Sequence, residues 1–208
     1  MKKTKNIFSL CFLFLLLFVS CAQKENEINT SLKTHTSKVV NLDEIDEMSI
    51  YHLPAQWNTQ DGKTIELKDL NGNILVAVMI YTSCKAACPR LVADMRNIDK
   101  KVGRKNNKNI FYLLVSIDPV TDTPERLKLF SKENKMTEDY WIFLQGTEET
   151  VRDFANVLAV KYNQISPIDF SHSNIISVFD EHGVLRHQQE GLGVDNEETV
   201  AVIKKLSN

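Results

Sequence analysis

The chain has 208 residues, of which 43% are hydrophobic and 25% charged, with a formal net charge of -2. That composition suits a domain with a proper apolar core. It carries no basic stripe with interleaved aromatics, so a nucleic-acid partner is excluded from the expectations.

The chain opens on Lys2, Lys3 and Lys5, followed by an apolar stretch from Ile7 to Val19. The stretch is too short and too one-sidedly flanked for a membrane span and has the form of an export signal. It ends in Phe18-Val19-Ser20-Cys21, which resembles a bacterial lipobox, with Phe18 where leucine is commoner. Residues 1–20 are therefore expected to be a signal peptide cleaved before Cys21. Lipidation of the Cys21 thiol would anchor the chain to a membrane on the extracytoplasmic side of the cell envelope. Cys11 is an apolar residue of the signal and leaves with it. Export implies an oxidising compartment, where Cys84 and Cys88 are the only thiols left to pair. A disulfide across so small a loop removes little chain entropy, which argues against a purely structural staple.

Residues 21–48 are polar and mixed in charge and read as a flexible tether. Residues 49–208 form one domain. Leu53 to Leu67 turns at Gln60-Asp61-Gly62, which predicts a hairpin. Ile74 to Tyr81 is continuously apolar, as a strand buried on both faces would be. Pro89 to Lys101 has apolar residues at helical spacing, and Ile110 to Ile117 is a second buried strand. Thr123-Pro124-Glu125 opens a helix running to about Lys135. Trp141 to Leu144 is a strand, and Thr147 caps a helix that extends to Val160. Asp169 to Asn174 is read as a loop. Ile175 to Phe179 and Val184 to His187 form a hairpin, and Glu197 to Leu206 a terminal helix. This order demands an α/β fold with a mixed central sheet, helices on both faces and an N-terminal β-hairpin.

The chemistry concentrates in Tyr81-Thr82-Ser83-Cys84-Lys85-Ala86-Ala87-Cys88-Pro89. Both cysteines follow a buried strand, where open α/β sheets place their sites. Pro89 suits a first helical turn, so the positive dipole end and Lys85 would favour a thiolate at Cys88. If the helix included both cysteines, they would share one face at about 5–6 Å between Cβ atoms. That is generous for a disulfide and comfortable for two sulfurs on one metal. A loop before the helix could tighten to permit the disulfide as well. His172 stands before a predicted strand and could complete a set of two sulfurs and one imidazole. Such a set suits Cu(I) and is acceptable to Cu(II) or Zn²⁺. Asp118 and Asp122 could orient His172 or Lys85, or serve a turn and a helix cap. Tyr81 and Phe170 are expected to cover the site. Met79, Met95, Trp57 and Trp141 belong to the core or its rim, and His182 and His187 to the surface.

Three blocks, Tyr81 to Pro89, Val115-Ser116-Ile117-Asp118-Pro119-Val120-Thr121-Asp122-Thr123-Pro124-Glu125 and His172-Ser173, resemble the signature of the Sco/SenC family in order and spacing. The resemblance covers residues 49–191. It implies a thioredoxin-like fold in a membrane-tethered protein that binds copper through Cys84, Cys88 and His172. Such proteins deliver copper to, or reduce the cysteines of, the dinuclear copper site of cytochrome c oxidase, the default partner, with another cuproenzyme as the alternative. The chain departs from the family in Lys85-Ala86-Ala87 between the cysteines, and in Ser171, where an acidic residue is common. Two readings follow. One is a copper-binding assembly factor without enzymatic turnover. The alternative is a thiol–disulfide oxidoreductase or redox sensor built on the same pair, with either cysteine as nucleophile. A peroxidase of the peroxiredoxin type is disfavoured, because Ala77 and Tyr81 stand where that family has proline and threonine.

Overall fold

A computed structural model describes residues 46–103 and 109–208, all of them within the unit Ser37–Asn208. The expected signal peptide, Cys11, the expected lipidation site Cys21 and nearly all of the expected tether lie outside the described residues, as does the loop between Gly103 and Asn109. Among the described residues no helix is long and apolar enough to cross a membrane.

The two apolar runs become the centre of the sheet because only positions covered on both faces can take an unbroken hydrophobic strand. Strand β3 (Ile74–Ile80) is buried at every residue, and β4 (Ile110–Ser116) at all but Phe111. They pair in parallel, with β5 (Trp141–Gln145) parallel to β4 on its other side. The expected N-terminal hairpin is β1 (Gln56–Thr59) and β2 (Thr64–Glu66), turning at Gly62 with φ 72°. It adds antiparallel to β5. The hairpin β8 (Ile175–Phe179) and β9 (Leu185–Glu190) adds antiparallel to β3. The result is a seven-stranded mixed sheet in the order β2-β1-β5-β4-β3-β8-β9.

Among the described residues four α-helices connect and cover it: α1 (Cys88–Val102), α2 (Pro124–Glu133), α3 (Glu148–Val157) and α4 (Glu197–Leu206). Thr123 caps α2 by accepting the Arg126 N–H, and Thr147 caps α3 by accepting that of Thr150. Helix α3 stops short of the expected Val160, since the chain turns at Ala159 with φ 53°. Trp57 and Trp141 are buried, Trp57 edge-on to Phe154 at 5.6 Å and Trp141 stacked on Tyr112 at 4.5 Å. Met79 and Met95 are core residues as expected.

Three expectations need correction. Helix α1 begins at Cys88, so Cys84 lies in the loop before it and the pair does not share a helical face. His187 is half-buried, its Nε2 3.0 Å from Thr199 Oγ1, because α4 covers part of β9. The stretch before β8 is not a plain loop. It is a separate antiparallel hairpin, β6 (Tyr162–Ser166) and β7 (Asp169–His172), outside the large sheet. His172 is its last residue.

Candidate metal-binding thiol site

Strand direction decides what meets at the sheet's edge. Strands β3 and β4 run the same way with Ile80 opposite Ser116, so Tyr81–Cys84 leaves the sheet beside Ile117–Asp122. Strand β8 runs against β3 with Ser177 opposite Ala77. The residues just before Ile175 therefore return to the edge that β3 has just left. Register brings three stretches far apart in sequence to that end of the sheet.

Cys84 sits in a tight turn, its N–H donating to the Tyr81 carbonyl at 3.3 Å. Ala87, at the N-cap of α1, has no side chain that can cap. The Cys84 sulfur takes that place and accepts the Cys88 N–H at 3.3 Å. Cys88 Sγ in turn lies 3.8 Å from His172 Nε2. His172 Nδ1 is 3.0 Å from the Ser173 carbonyl. A carbonyl only accepts, so Nδ1 carries the proton and the lone pair of Nε2 faces the thiol. Among the described residues, no group of three or more His, Cys, Asp or Glu side chains stands close enough together to hold a metal ion as placed. Cys84, Cys88 and His172 are linked side by side, with both thiols free.

The two thiols differ in kind. Cys88 is fully buried, and desolvation pushes its pKa well up against an opposing main-chain hydrogen bond with Tyr81, with smaller upward contributions from the nearby Cys84 and Asp122. For Cys84 burial also acts upward, but the Cys88 and Ala86 N–H groups, the Tyr81 hydroxyl and the Cys88 thiol together stabilise its thiolate and bring its pKa below the ordinary value. This reverses the expectation that the helix dipole makes Cys88 the thiolate: the amide it donates serves Cys84 instead. Burial lowers the pKa of His172, with the Ser173 carbonyl acting the other way, so the imidazole stays neutral at neutral pH. Alkylation at pH 7, followed by peptide mapping, should find Cys84 modified at least about tenfold faster than Cys88, one decade for each unit of separation in pKa.

Asp122 and Asp118 are both buried, and neither makes a hydrogen bond to His172 or Lys85. Asp122 does not cap α2. Its carboxylate accepts the Thr82 N–H at 3.0 Å, the Thr82 hydroxyl at 2.5 Å and the Ser116 hydroxyl at 2.7 Å. It ties the start of the cysteine loop to the end of β4. Burial raises its pKa against those bonds. Asp118 accepts the Thr121 N–H through Oδ1 at 3.2 Å, a turn role, while its buried Oδ2 has no hydrogen-bond partner. Asp118 and Phe170 line one groove, with a volume of about 640 Å³, between the Ile117–Thr121 turn, α3 and the β6–β7 hairpin. Lys85 is exposed. Tyr81 packs against Phe170 at 5.2 Å, as a cover residue would, but its hydroxyl also bonds Asp169 at 2.5 Å. Thr82, Ser116 and Asp169 were not singled out by sequence, because the bonds that involve them depend on strand register and on the hairpin.

The sequence profile described as SCO1/SenC matches residues 47–208. A relative described as a SCO1 protein homolog, from Bacillus subtilis, is 33% identical over 103 residues, which are 49% of this chain and 53% of the relative. The chain thus aligns with about half the length of that relative. The crystal structure of a SCO1/SenC family lipoprotein from Bacillus anthracis superposes with a TM-score of 0.67 at 25% identity, covering 74% of this chain and 92% of the other. Bradyrhizobium japonicum ScoI with copper bound superposes with a TM-score of 0.62 at 22% identity, covering 73% and 96%. The thioredoxin-like mixed α/β fold expected from the sequence is the one observed.

Proposed function

The chain belongs to the SCO1/SenC family, and from that premise we propose that it is a copper-binding assembly factor of the cell envelope, lipid-anchored through Cys21. Copper is its cargo, held by Cys84, Cys88 and His172. The observation that carries this reading is the 3.8 Å approach of His172 Nε2 to Cys88 Sγ, with the imidazole lone pair turned toward the sulfur. Two sulfurs and one imidazole make a soft set that suits Cu(I) and tolerates Cu(II). ScoI from Bradyrhizobium japonicum, of the same fold, has been seen with copper bound.

The residues divide the work. Cys84 offers a thiolate, Cys88 a thiol that gives up its proton on binding, and His172 a neutral donor whose other nitrogen is fixed by a carbonyl. Asp122 and Thr82 hold the loop that carries the cysteines. A three-donor site leaves room for an incoming ligand, so the cargo can pass by ligand exchange to the copper-accepting subunit of cytochrome c oxidase or of another cuproenzyme.

The test is loading in two redox states. Reduced protein should bind about one copper per chain, and the Cys84–Cys88 disulfide form none at the same concentration, because oxidation removes both thiolates. Equal loading of the two forms would refute the proposal. Because the Cys88 pKa is raised, binding at pH 7 should release a proton to the buffer, and affinity should fall about tenfold for each unit of acidification per proton released. The metal-free fold has the complementary dependence. A raised thiol pKa contributes stability that is intact below the ordinary value of about 8.5 and is lost as the pH climbs above it.

The difference between the two thiols also favours a second reading, thiol–disulfide exchange. The Cys84 thiolate would attack a partner disulfide and release one partner thiolate. Cys88, losing its proton, would then attack Cys84 in the mixed disulfide. The chain would end as the Cys84–Cys88 disulfide and both partner cysteines would be reduced.

A further inference from the structure

His172 reaches the cysteines on a hairpin whose strands pair with each other and with no strand of the large sheet. Its position therefore depends on whatever fastens β6–β7 to the cysteine loop. Tyr81 is 2% exposed and lies three residues before Cys84. Its hydroxyl donates to Asp169 Oδ1 at 2.5 Å and lies 3.1 Å from the Phe170 carbonyl. The same Asp169 oxygen accepts the Phe170 N–H at 3.0 Å. Asp169 pairs with Ser166 at the turn end of the hairpin, and His172 with Tyr162 at the other end. A strand anchored by its first residue holds the direction of its last. The Tyr81 ring closes the arrangement: it stands edge-on to His172, with centroids 5.9 Å apart and planes at 80°. Through its own carbonyl Tyr81 receives the Cys84 N–H. Ser83 Oγ adds a bond to the Ile168 carbonyl at 3.2 Å.

We propose that Tyr81 and Asp169 form a latch that positions His172 against Cys84 and Cys88. Tyr81 ties both halves of the donor set together. Its main chain sets the turn of Cys84, its ring supports the imidazole, and its hydroxyl grips the carboxylate that starts β7. Both are positioning residues that need not touch the cargo. The proposal rests on the reading of Cys84, Cys88 and His172 as one metal-binding set, but part of its test is independent of metal.

The test compares wild type with Tyr81→Phe, Asp169→Ala and the double variant in reduced protein. Phenylalanine keeps the ring and removes only the hydroxyl. Amide hydrogen exchange of metal-free protein should quicken over residues 162–172 in both single variants, while β3, β4 and β5 exchange as in wild type, which also shows that the variants are folded. Cu(I) affinity, measured against a competing chelator, should fall about tenfold in each, the order expected for one lost bond to a charged group. The double variant should lose less than the sum of the singles, since all three break the Tyr81–Asp169 bond. Cu(II)-loaded protein should lose nitrogen hyperfine coupling in proportion. Unchanged exchange over residues 162–172 would overturn the latch, and so would additive losses in the double variant. If wild type bound no copper, the metal reading would fall while the exchange data still decided the latch.

Discussion

Replacing Cys88 with serine should lower copper affinity by about three orders of magnitude and leave the fold in place. The exchange removes a soft sulfur donor and substitutes a hydroxyl that stays protonated, and metal sites of this kind owe most of their free energy to thiolate donors. Cys88 is fully buried, so water cannot reach the position to act as a substitute ligand. Serine is close in shape, and the Cys88 N–H bond to Cys84 Sγ that starts α1 is made by the main chain. The melting temperature should therefore stay within a few degrees of wild type. Competition with a Cu(I) chelator measures the first effect and thermal unfolding the second. Copper binding near the wild-type affinity would remove Cys88 from the donor set. The same variant separates the two readings of the thiols. Having lost its resolving group but kept Cys84, it should accumulate a mixed disulfide with a small disulfide substrate, whereas Cys84→Ser should not.

Asp122→Ala carries the largest expected cost in stability, about 3 kcal/mol. Three hydrogen bonds end on this carboxylate, and its removal strands the Thr82 N–H and the buried Ser116 hydroxyl. Part of the loss is offset because burial already penalises the charge, as the raised pKa of Asp122 indicates. For the same reason Asp122→Asn, which keeps an acceptor and discards the charge, should cost only about 1 kcal/mol. In a chain of this size 3 kcal/mol corresponds to a melting temperature lower by about 6–12 °C. Thr82 also receives the Arg126 Nε–H at 2.8 Å, so the alanine variant frees the cysteine loop from β4 while this bond to α2 remains. Copper affinity should fall along with stability. A melting temperature within about 2 °C of wild type would show that the Asp122 bonds are not what hold the loop.

The parts of the molecule that could be read from sequence are those whose signal is local. The apolar runs of β3 and β4 announce burial on both faces. Gln60-Asp61-Gly62 announces a turn, and Thr123-Pro124 and Thr147 announce helix starts. Cys84, Cys88 and His172 stand out by side-chain chemistry before any fold is known. The hairpin β6–β7 could not be read this way, because Tyr162-Asn163-Gln164-Ile165-Ser166 has no apolar alternation and carries little buried surface. Asp122 looks like a cap for α2 because it precedes Thr123 and Pro124. Its actual partner, Thr82, lies 40 residues away and is brought beside it by the parallel register of β3 and β4. The identity of the thiolate was hidden for a related reason. Helix position favours Cys88, but burial falls on Cys88 and the amide donors fall on Cys84, and both depend on how the loop packs. Asp169 acquires its role only once the hairpin exists to carry its carboxylate to the Tyr81 hydroxyl.

Whether two sulfurs and one imidazole act as a single donor set is decided by anaerobic Cu(I) titration of reduced wild type beside His172→Ala. Binding should saturate at about one equivalent in wild type, and affinity should be lower by about a hundredfold in the variant, where only the sulfurs remain. Wild type that fails to saturate near one equivalent, or a variant that titrates like wild type, would contradict a single donor set.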